Sequence, residues 1–421
     1  MPASAPQHYL FALTDGGGTV PPEIGVVRRL VDRGHRVRVL AETSMEQSVR
    51  AVGAEFVPWQ PGPAAHGAPP GAAAYRDGET RDPWTLARGM ADHMIAGPAL
   101  GQARRLRSVA AVQRPDLVVT SFVAFGAMAA ADAAELSFDV LIPNIYPIPA
   151  AGLPPMGTGW KPARTGLGRL RDRVVGRAST AMLGRFALPR LNEVRAELGT
   201  PPLRVLWDQV HRARRQFLLT SRSFDFPGEL PSSVRYAGPV LDDPVWARAD
   251  EWREPGGRGP LVLVALSSTD QGQRRCVQNV VDALARLDVR GLVTTGPALD
   301  PRELRGGDRV EIVRSAPHRE VIDRADLVIT HGGHGTVLKA LVAGRPLVVL
   351  PHGRDQPGNA VRVSARGAGL VVRRTASAST IATAVTTVLS TRCYAEAARR
   401  LGRSIRAEID RSPLVDELES L

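Results

Sequence analysis

The sequence predicts an α/β protein made of two parallel-sheet domains that face each other across a deep cleft. The chain has 421 residues, more than one hydrophobic core usually holds. Short apolar runs alternate with helical patterns along its whole length, which is typical of parallel sheets covered by helices on both faces. A stretch rich in proline, glycine and charge separates two similar halves. We therefore expect a first domain over 1–235, a linker over 236–259 and a second domain over 260–404, with a C-terminal helix at about 405–421 packing back on the first.

The first half opens with the apolar strand YLFAL (9–13), a glycine-rich turn and the helical pattern EIGVVRRLVDRG. Further apolar runs predict strands at 36–40, 116–120 and 139–144. Two segments, 60–83 and 147–168, are rich in proline and glycine and have no periodicity. We expect them to be mobile loops over the cleft.

The second half repeats the alternation. A helix is expected at about 273–287, and apolar runs predict strands at 260–268, 291–295, 310–314, 326–330, 346–350 and 369–372. The stretch from Cys393 to the end has an amphipathic helical pattern. Two such α/β units commonly bind a ligand in the cleft between them.

The composition favours a soluble globular protein, with 43% hydrophobic and 23% charged residues. The net charge of +12 comes from arginines spread over the chain, because only Lys161 and Lys339 of its 54 basic residues are lysines. The densest basic cluster, HRARR at 211–215, has few aromatic residues nearby to stack on bases, so no nucleic-acid partner is expected. An anionic small ligand is compatible with this charge.

Cysteine use and the first residues predict a compartment. Cys276 and Cys393 form neither a CxxC motif nor a disulfide framework, which fits a reducing cytoplasm. The first residues lack the basic and apolar regions of a secretory signal, and no apolar run is long enough to span a membrane. We expect a cytoplasmic protein without stable membrane insertion, either a monomer or a homodimer.

A second-half segment, THGGHGT (330–336), reads as the end of a strand, a glycine turn and the start of a helix. Its glycines let the backbone turn sharply and let a ligand approach closely. The first amides of the helix have no intrahelical partner, and the helix dipole favours an anion there. The side chains of His331 and Thr336 can donate further hydrogen bonds, so we expect a diphosphate at this turn.

Other interpretations of this segment stay open. Its spacing matches neither GxGxxG nor GxxxxGK[ST], and three glycines alone can simply make a tight turn. His331 and His334 are spaced for a metal pair, but no third ligand is apparent, so no metal is expected. We expect His334 to be an exposed turn residue.

A polar segment follows the next strand, HGRDQPGN (352–359), at the same carboxyl edge of the sheet, where α/β proteins bind ligands. Asp355 can accept hydrogen bonds from two hydroxyls, and Gln356 can both accept and donate. This chemistry suits a sugar. Alone, the pair also fits a helix cap.

Together these segments resemble a known family. The run APHREVIDRADLVITHGGHGTVLKALVAGRPLVVLPHGRDQPGNA is similar to the donor signature of glycosyltransferase family 1, whose GT-B fold has two Rossmann-like domains. The resemblance is strong over 310–372 and weaker over the whole chain, and bacterial members acting on small lipophilic natural products are the most similar. It implies an inverting, metal-independent transfer from a UDP- or dTDP-sugar to a small hydrophobic acceptor, with no cofactor beyond that co-substrate.

The resemblance also implies residue roles. The acceptor would bind the first domain, and the donor the second. The diphosphate would meet His331, Gly333, Gly335, Thr336, Ser268 and Thr269. The sugar would meet Asp355 and Gln356, and the base would lie against Ser315, Ala316 and His318.

The sequence departs from the family at three positions. Many relatives carry a glutamate that grips the ribose where this chain has Lys339, which would meet a phosphate or lie on the solvated helix face. This loss favours a deoxyribose donor. The usual catalytic histidine after the first strand is replaced by Thr19, and the aspartate that commonly orients it by Ser121. Neither hydroxyl is a base near neutral pH.

Other residues must then handle the proton. Asp15 is in the same loop as Thr19 and is the first candidate base. His66, His93 and Asn144 are further candidates on the acceptor side. An acidic phenol, an amine or an electron-rich carbon would instead attack without a base. Two alternatives to a transferase remain: a nucleotide-sugar epimerase, and a catalytically silent partner of another transferase.

Overall fold

A computed structural model describes residues 5–60, 82–243, 252–266, 271–297 and 299–421. Within these ranges two separate sheets form, and every strand pair inside them is parallel. The predicted α/β class with two parallel-sheet domains is therefore confirmed.

The first sheet has seven strands in the order β3-β2-β1-β4-β5-β6-β7. Their bounds are β1 His8–Ala12, β2 Arg36–Ala41, β3 Glu55–Pro58, β4 Leu117–Ser121, β5 Phe138–Ile142, β6 Arg215–Leu218 and β7 Val234–Tyr236. Side chains alternate between the two faces of β1, and both faces are buried. This explains why the strands read as continuous apolar runs.

Helices cover both faces of this sheet. They are α1 Val20–Asp32, α2 Glu46–Ala51, α3 Pro83–Met90, α4 Ala99–Val112, α5 Phe125–Ala133, α6 Gly166–Glu197 and α7 Asp208–His211. One core is packed under α1 and α2, and the other under α4, α5 and α6. The strand expected at 116–120 forms as β4, and the largely buried helix α5 follows it.

The second sheet has six strands in the order β10-β9-β8-β11-β12-β13. Their bounds are β8 Leu261–Ala265, β9 Arg290–Thr294, β10 Val310–Val313, β11 Leu327–Thr330, β12 Leu347–Val349 and β13 Gly369–Val371. Its helices are α8 Arg274–Leu284, α9 His318–Arg324, α10 His334–Val342, α11 Gln356–Ala365 and α12 Ala378–Ser390. The strands β11 and β12 are neighbours, so the turns that follow them meet at one edge.

The C-terminal segment joins the two domains. The helix α13 (Arg392–Asp410) packs on α10, and α14 (Leu414–Glu419) returns to the first domain, where Leu414 and Leu418 are buried beside α1. The carbonyl of Leu418 accepts a hydrogen bond from Tyr9 at 3.3 Å. In the described part of the chain, no helix is both long and apolar enough to cross a membrane.

Candidate active site

The turn between β11 and α10 forms an open cradle at the carboxyl edge of the second sheet. Gly332 has a φ of 94°, in the left-handed region that only glycine adopts freely. Gly333 precedes the helix, and no side chain of the described residues caps it. Among the described residues, a Cβ atom placed on Gly335 would meet nothing within 4 Å. The start of α10 therefore leaves space for a ligand, as an anion site at a helix N-terminus requires.

His331 is at the strand end beside this cradle. Its ring hydrogen-bonds the backbone of Ala265, while its Nδ1 atom is buried without a partner among the described residues. Burial lowers the pKa of His331 to about 3, and the neighbouring His352 and Arg354 lower it further. The unliganded imidazole is therefore neutral and still has a polar atom to satisfy. A bound diphosphate would do so by accepting a hydrogen bond once this nitrogen is protonated, which the negative charge of the diphosphate favours.

The expectation that His334 is an exposed turn residue is wrong, because its side chain is 7% exposed. Its Nδ1 lies 3.1 Å from Asn359 Oδ1, and its ring lies edge-on to Phe224 of the first domain, with centroids 6.0 Å apart. His334 is therefore a packing residue between the domains, and its Nε2 has no partner in the described structure.

The loop after β12 presents the predicted sugar-binding pair. Asp355 Oδ2 accepts a hydrogen bond from Asn359 Nδ2 at 2.7 Å, and burial raises the pKa of Asp355. Gln356 is 2% exposed, and its Oε1 accepts from the amide of His352 at 2.8 Å. Its Nε2 donates to Gln271 at 3.0 Å. In this unliganded state Gln356 therefore orders the loop, and Asp355 has the more accessible acceptor.

The two domains meet at this loop. The side chain of Asn144, which follows β5 of the first domain, hydrogen-bonds Asp355. The next residue, Ile145, packs into the core of the second domain against α11. Asn144, predicted for the acceptor side, and Asp355, predicted for the donor sugar, therefore lie together across the cleft.

A buried ion pair also holds α11 against the first domain. Arg362 on α11 contacts Asp225 at 2.7 Å, and both side chains are at most 3% exposed. The Tyr236 hydroxyl donates to the same aspartate at 3.0 Å. This pair lies two turns along α11 from Asp355 and links the domain arrangement to the position of the sugar-binding loop.

The predicted base-binding residues lie together after β10. Ser315 and Ala316 are buried, and His318 begins α9. The His318 Nε2 lies 3.1 Å from Thr294 Oγ1, and burial lowers the pKa of this histidine to about 4. These residues form one wall at the sheet edge next to the cradle.

Lys339 does not lie on a solvated helix face, so that alternative is wrong. Its side chain is 13% exposed and forms an ion pair with Asp243, and its ammonium donates to the Asp242 carbonyl at 3.1 Å. Arg28 of α1 pairs with the Asp242 carboxylate at 2.9 Å. The predicted linker is therefore held here by one cation from each domain.

The matching turn in the first domain carries carboxylates. Asp15 is 8% exposed, and its oxygens accept from Ser44 Oγ at 2.6 Å and from the Gly17 amide at 3.1 Å. Its own amide donates to Glu42 Oε2 at 2.9 Å. Thr19 is the residue before α1 and is half-buried, and its side chain makes no capping bond within the described residues.

Sequence reasoning missed Glu23, which is on α1 one turn after Thr19. It is 1% exposed, and its Oε2 has no partner in the part of the chain described. Burial raises the pKa of Glu23 to about 8, a hydrogen bond from Ser121 opposes this shift, and Glu42 and Asp15 add to it. Glu42 was missed as well. The sequence does carry a signal for each. Glu42 directly follows the strand β2, and Glu23 is a charged residue within the apolar stripe of a helix.

The remaining candidates are not brought to this site. His93 is exposed on a wide helical turn, Ala91–Ile95. His66, Ser268 and Thr269 lie outside the described residues. Within the described ranges, no group of three or more metal-ligating side chains has a geometry suited to a metal ion.

Two facing parallel-sheet domains, with an anion cradle on the second and polar side chains meeting across the cleft, define the GT-B class. Residues 278–421 match the family described as erythromycin biosynthesis protein CIII-like, C-terminal domain. The chain is 29% identical to 4'-demethylrebeccamycin synthase of Lentzea aerocolonigenes over 98% of this chain and 99% of that protein.

Solved structures share the whole fold. The calicheamicin glycosyltransferase CalG4 superimposes with a TM-score of 0.73 at 22% identity, covering 99% of this chain and 98% of CalG4. The spinosyn rhamnosyltransferase SpnG, solved with thymidine diphosphate, has a TM-score of 0.69 at 18% identity, covering 98% of this chain and 100% of SpnG. The predicted GT-B fold and glycosyltransferase class are therefore confirmed, since further homologues and the structural neighbours are named glycosyltransferases.

Proposed function

We propose that this protein transfers a sugar from a nucleoside-diphosphate sugar to a small lipophilic acceptor in natural-product biosynthesis. One observation carries the proposal. Among the described residues, the start of α10 has no side-chain cap, the approach at Gly335 is open and His331 Nδ1 has no partner, while Asp355 contacts Asn144 of the other domain from the loop after the next strand. A diphosphate and its attached sugar fit this order of groups.

We propose that the transfer inverts the anomeric configuration. The acceptor approaches from the first domain and attacks the anomeric carbon as the bond to the diphosphate breaks on the opposite side. Negative charge then grows on the diphosphate, where His331, the Thr336 hydroxyl and the α10 amides donate to it. These groups provide the charge stabilisation, so we propose a reaction that needs no metal.

Among nucleotides we propose a thymidine diphosphate sugar ahead of a UDP-sugar. Lys339 is a cation that cannot accept hydrogen bonds from ribose hydroxyls, and Asp243 already neutralises it. The structural neighbour SpnG was solved with thymidine diphosphate. A deoxyribose lacks one ribose hydroxyl, so one hydrogen bond fewer is needed beside Lys339.

A donor screen tests the proposal. The purified chain is offered matched UDP- and dTDP-sugars together with polycyclic aromatic acceptors, and products are read by mass spectrometry. The expected result is an acceptor whose mass rises by one sugar, with dTDP donors preferred.

Two other results would contradict it. A changed sugar nucleotide formed without any acceptor would indicate an epimerase. Donor binding in calorimetry without turnover across the panel would indicate a silent partner protein.

A further inference from the structure

We propose that Glu42 removes the proton from the acceptor nucleophile, and that Asp15 and Glu23 are positioning residues beside it. This proposal rests on the transferase function above. It assigns the step that Thr19 and Ser121 leave without a base.

The position of Glu42 suits this role. It follows β2 at the carboxyl edge of the first sheet, the edge whose β5 loop carries Asn144 to the donor residue Asp355. Neighbouring strands are about 4.8 Å apart, so the β1 loop lies roughly 10 Å along this edge from the β5 loop. Glu42 contacts that β1 loop through the Asp15 amide at 2.9 Å. The sugar ring held at Asp355 and the nucleophile that attacks its anomeric carbon together bridge the interval between these loops.

Of the three carboxyl groups, Glu42 is the one with partial access to solvent. Asp15 is 8% exposed, and both its oxygens are engaged by Ser44 and Gly17. Glu23 is 1% exposed. Glu42 is half-buried, which leaves room for a substrate proton to reach it.

Glu23 provides a second, independent sign that the cluster handles protons. The Thr14 amide donates to Ser121 Oγ at 3.2 Å, which leaves the Ser121 hydroxyl hydrogen for Glu23. The Glu23 Oε2 atom then stays buried without a partner among the described residues. Such an atom is costly unless it carries a proton or meets a ligand.

The charges around Glu42 favour a base that works near neutral pH. Burial raises the pKa of Glu42 to about 7, backbone amides of Glu42 and Asp15 oppose this, and the charge of Asp15 adds to it. The charged groups facing it from packed elements are Asp15 on the β1 loop and Glu23 on α1. A base with a pKa near the working pH combines the right protonation state with a good driving force.

The step balances without an added reagent. The Glu42 carboxylate takes the proton from an O–H or N–H of the acceptor while that atom forms its bond to the anomeric carbon. The bond from this carbon to the diphosphate oxygen breaks, and its electron pair leaves with the nucleoside diphosphate. Solvent later removes the proton from Glu42.

The test compares Glu42→Gln with Asp15→Asn and with the control Glu55→Gln, since Glu55 is an exposed glutamate at the amino end of the neighbouring strand β3. We expect Glu42→Gln to lower kcat about 100-fold or more with unchanged donor affinity. Asp15→Asn should lower kcat far less than Glu42→Gln does and should move the acid limb of kcat/KM to lower pH, because it removes a charge that raises the Glu42 pKa. Glu42→Asp should keep a pH limb, and acidic phenol acceptors should narrow the gap between Glu42→Gln and the parent.

Full activity in Glu42→Gln with a normal pH profile would overturn the assignment while leaving the transferase intact. So would abolished turnover in Asp15→Asn alone, which would make Asp15 the base, as the sequence predicts. A parent that transfers sugar to no acceptor would overturn this inference and the proposed function together. Calorimetric donor binding and circular dichroism on each variant separate these outcomes from misfolding.

Discussion

Two turns in this molecule have the same backbone plan and opposite chemistry. In each domain the turn joins a central strand to the following helix, β1 to α1 and β11 to α10. Both strands lie inside their sheets, and both helices begin without a side-chain cap among the described residues. The two turns face the same cleft, so side chains and amides decide what each binds.

The amides differ first. The first turn of α1 contains Pro21 and Pro22, which have no N–H to offer. The first turn of α10 contains His334, Gly335 and Thr336, and all three keep theirs. An anion is therefore served by hydrogen-bond donors in the second domain but not in the first.

The side chains differ in the same sense. The first turn is surrounded by Asp15, Glu23 and Glu42, whereas the second is lined by the neutral His331 and by His352 and Arg354. Carboxylates repel a diphosphate but accept protons. The same strand–turn–helix unit thus occurs twice. A few residue differences suit one copy to stabilising the leaving group and the other to removing a proton.

The strongest way to break this comparison is His331→Ala. We expect kcat to fall about 100- to 1,000-fold, the loss that follows removal of one donor to a developing anion. Steady-state kinetics measures it, with His211→Ala as the control, because His211 is an exposed histidine of the first domain that contacts Gln216. Equal activity in the two variants would show that the cradle does not hold the leaving group.

The carboxylate side is tested by Glu23→Gln and the pH dependence of stability. Its pKa in the folded protein, about 8, is above the ordinary value of 4.5. The stability from this group is therefore fully present below pH 4.5 and is lost as pH rises toward 8. Glutamine cannot ionise, so the variant should gain on the parent by about 2 kcal/mol between pH 5 and pH 7.

Urea unfolding at the two pH values measures this difference for the variant and the parent. Glu55→Gln serves as the exposed control and should follow the parent. A constant offset between Glu23→Gln and the parent would mean that Glu23 is ionised in the folded protein.

Two glycines of the cradle should separate binding from folding. Gly335→Ala places a methyl group in the open approach, so we expect donor affinity to fall about tenfold, or ~1.4 kcal/mol, with stability unchanged or slightly raised. Gly332→Ala forces a side chain onto a φ of 94° and to within 3.0 Å of Val349 Cγ1, so it should cost about 1–3 kcal/mol of stability. Calorimetry and thermal melting distinguish the two effects. The reverse pattern would place the ligand elsewhere.

The smallest effect is expected from Lys339→Gln. The variant leaves Asp243 without its partner, and a partly buried pair of this kind contributes on the order of 1 kcal/mol. We expect a change of a few-fold in donor KM, with a smaller preference for dTDP- over UDP-sugars. Arg28→Gln, which loosens the other end of the same linker, should leave the donor preference unaltered.

The second domain followed the sequence closely because its strands and helices are local patterns. The strands predicted at 291–295 and 326–330 form as Arg290–Thr294 and Leu327–Thr330. In the first domain β3, β6 and β7 escaped prediction, because each has only three or four residues. Short edge strands carry too little periodicity to identify from sequence alone.

The apolar alternation, the glycines at 332–335 and the polar pair Asp355–Gln356 were enough to specify two parallel sheets and a donor cradle, since each depends on residues near one another in the chain. The environment of His334, the ion pair of Lys339 and the grouping of Asp15, Glu23 and Glu42 depend on elements far apart in sequence. Burial and charge act through space, so only the packing of two sheets and their helices decides which carboxyl keeps its proton and which lysine meets an aspartate.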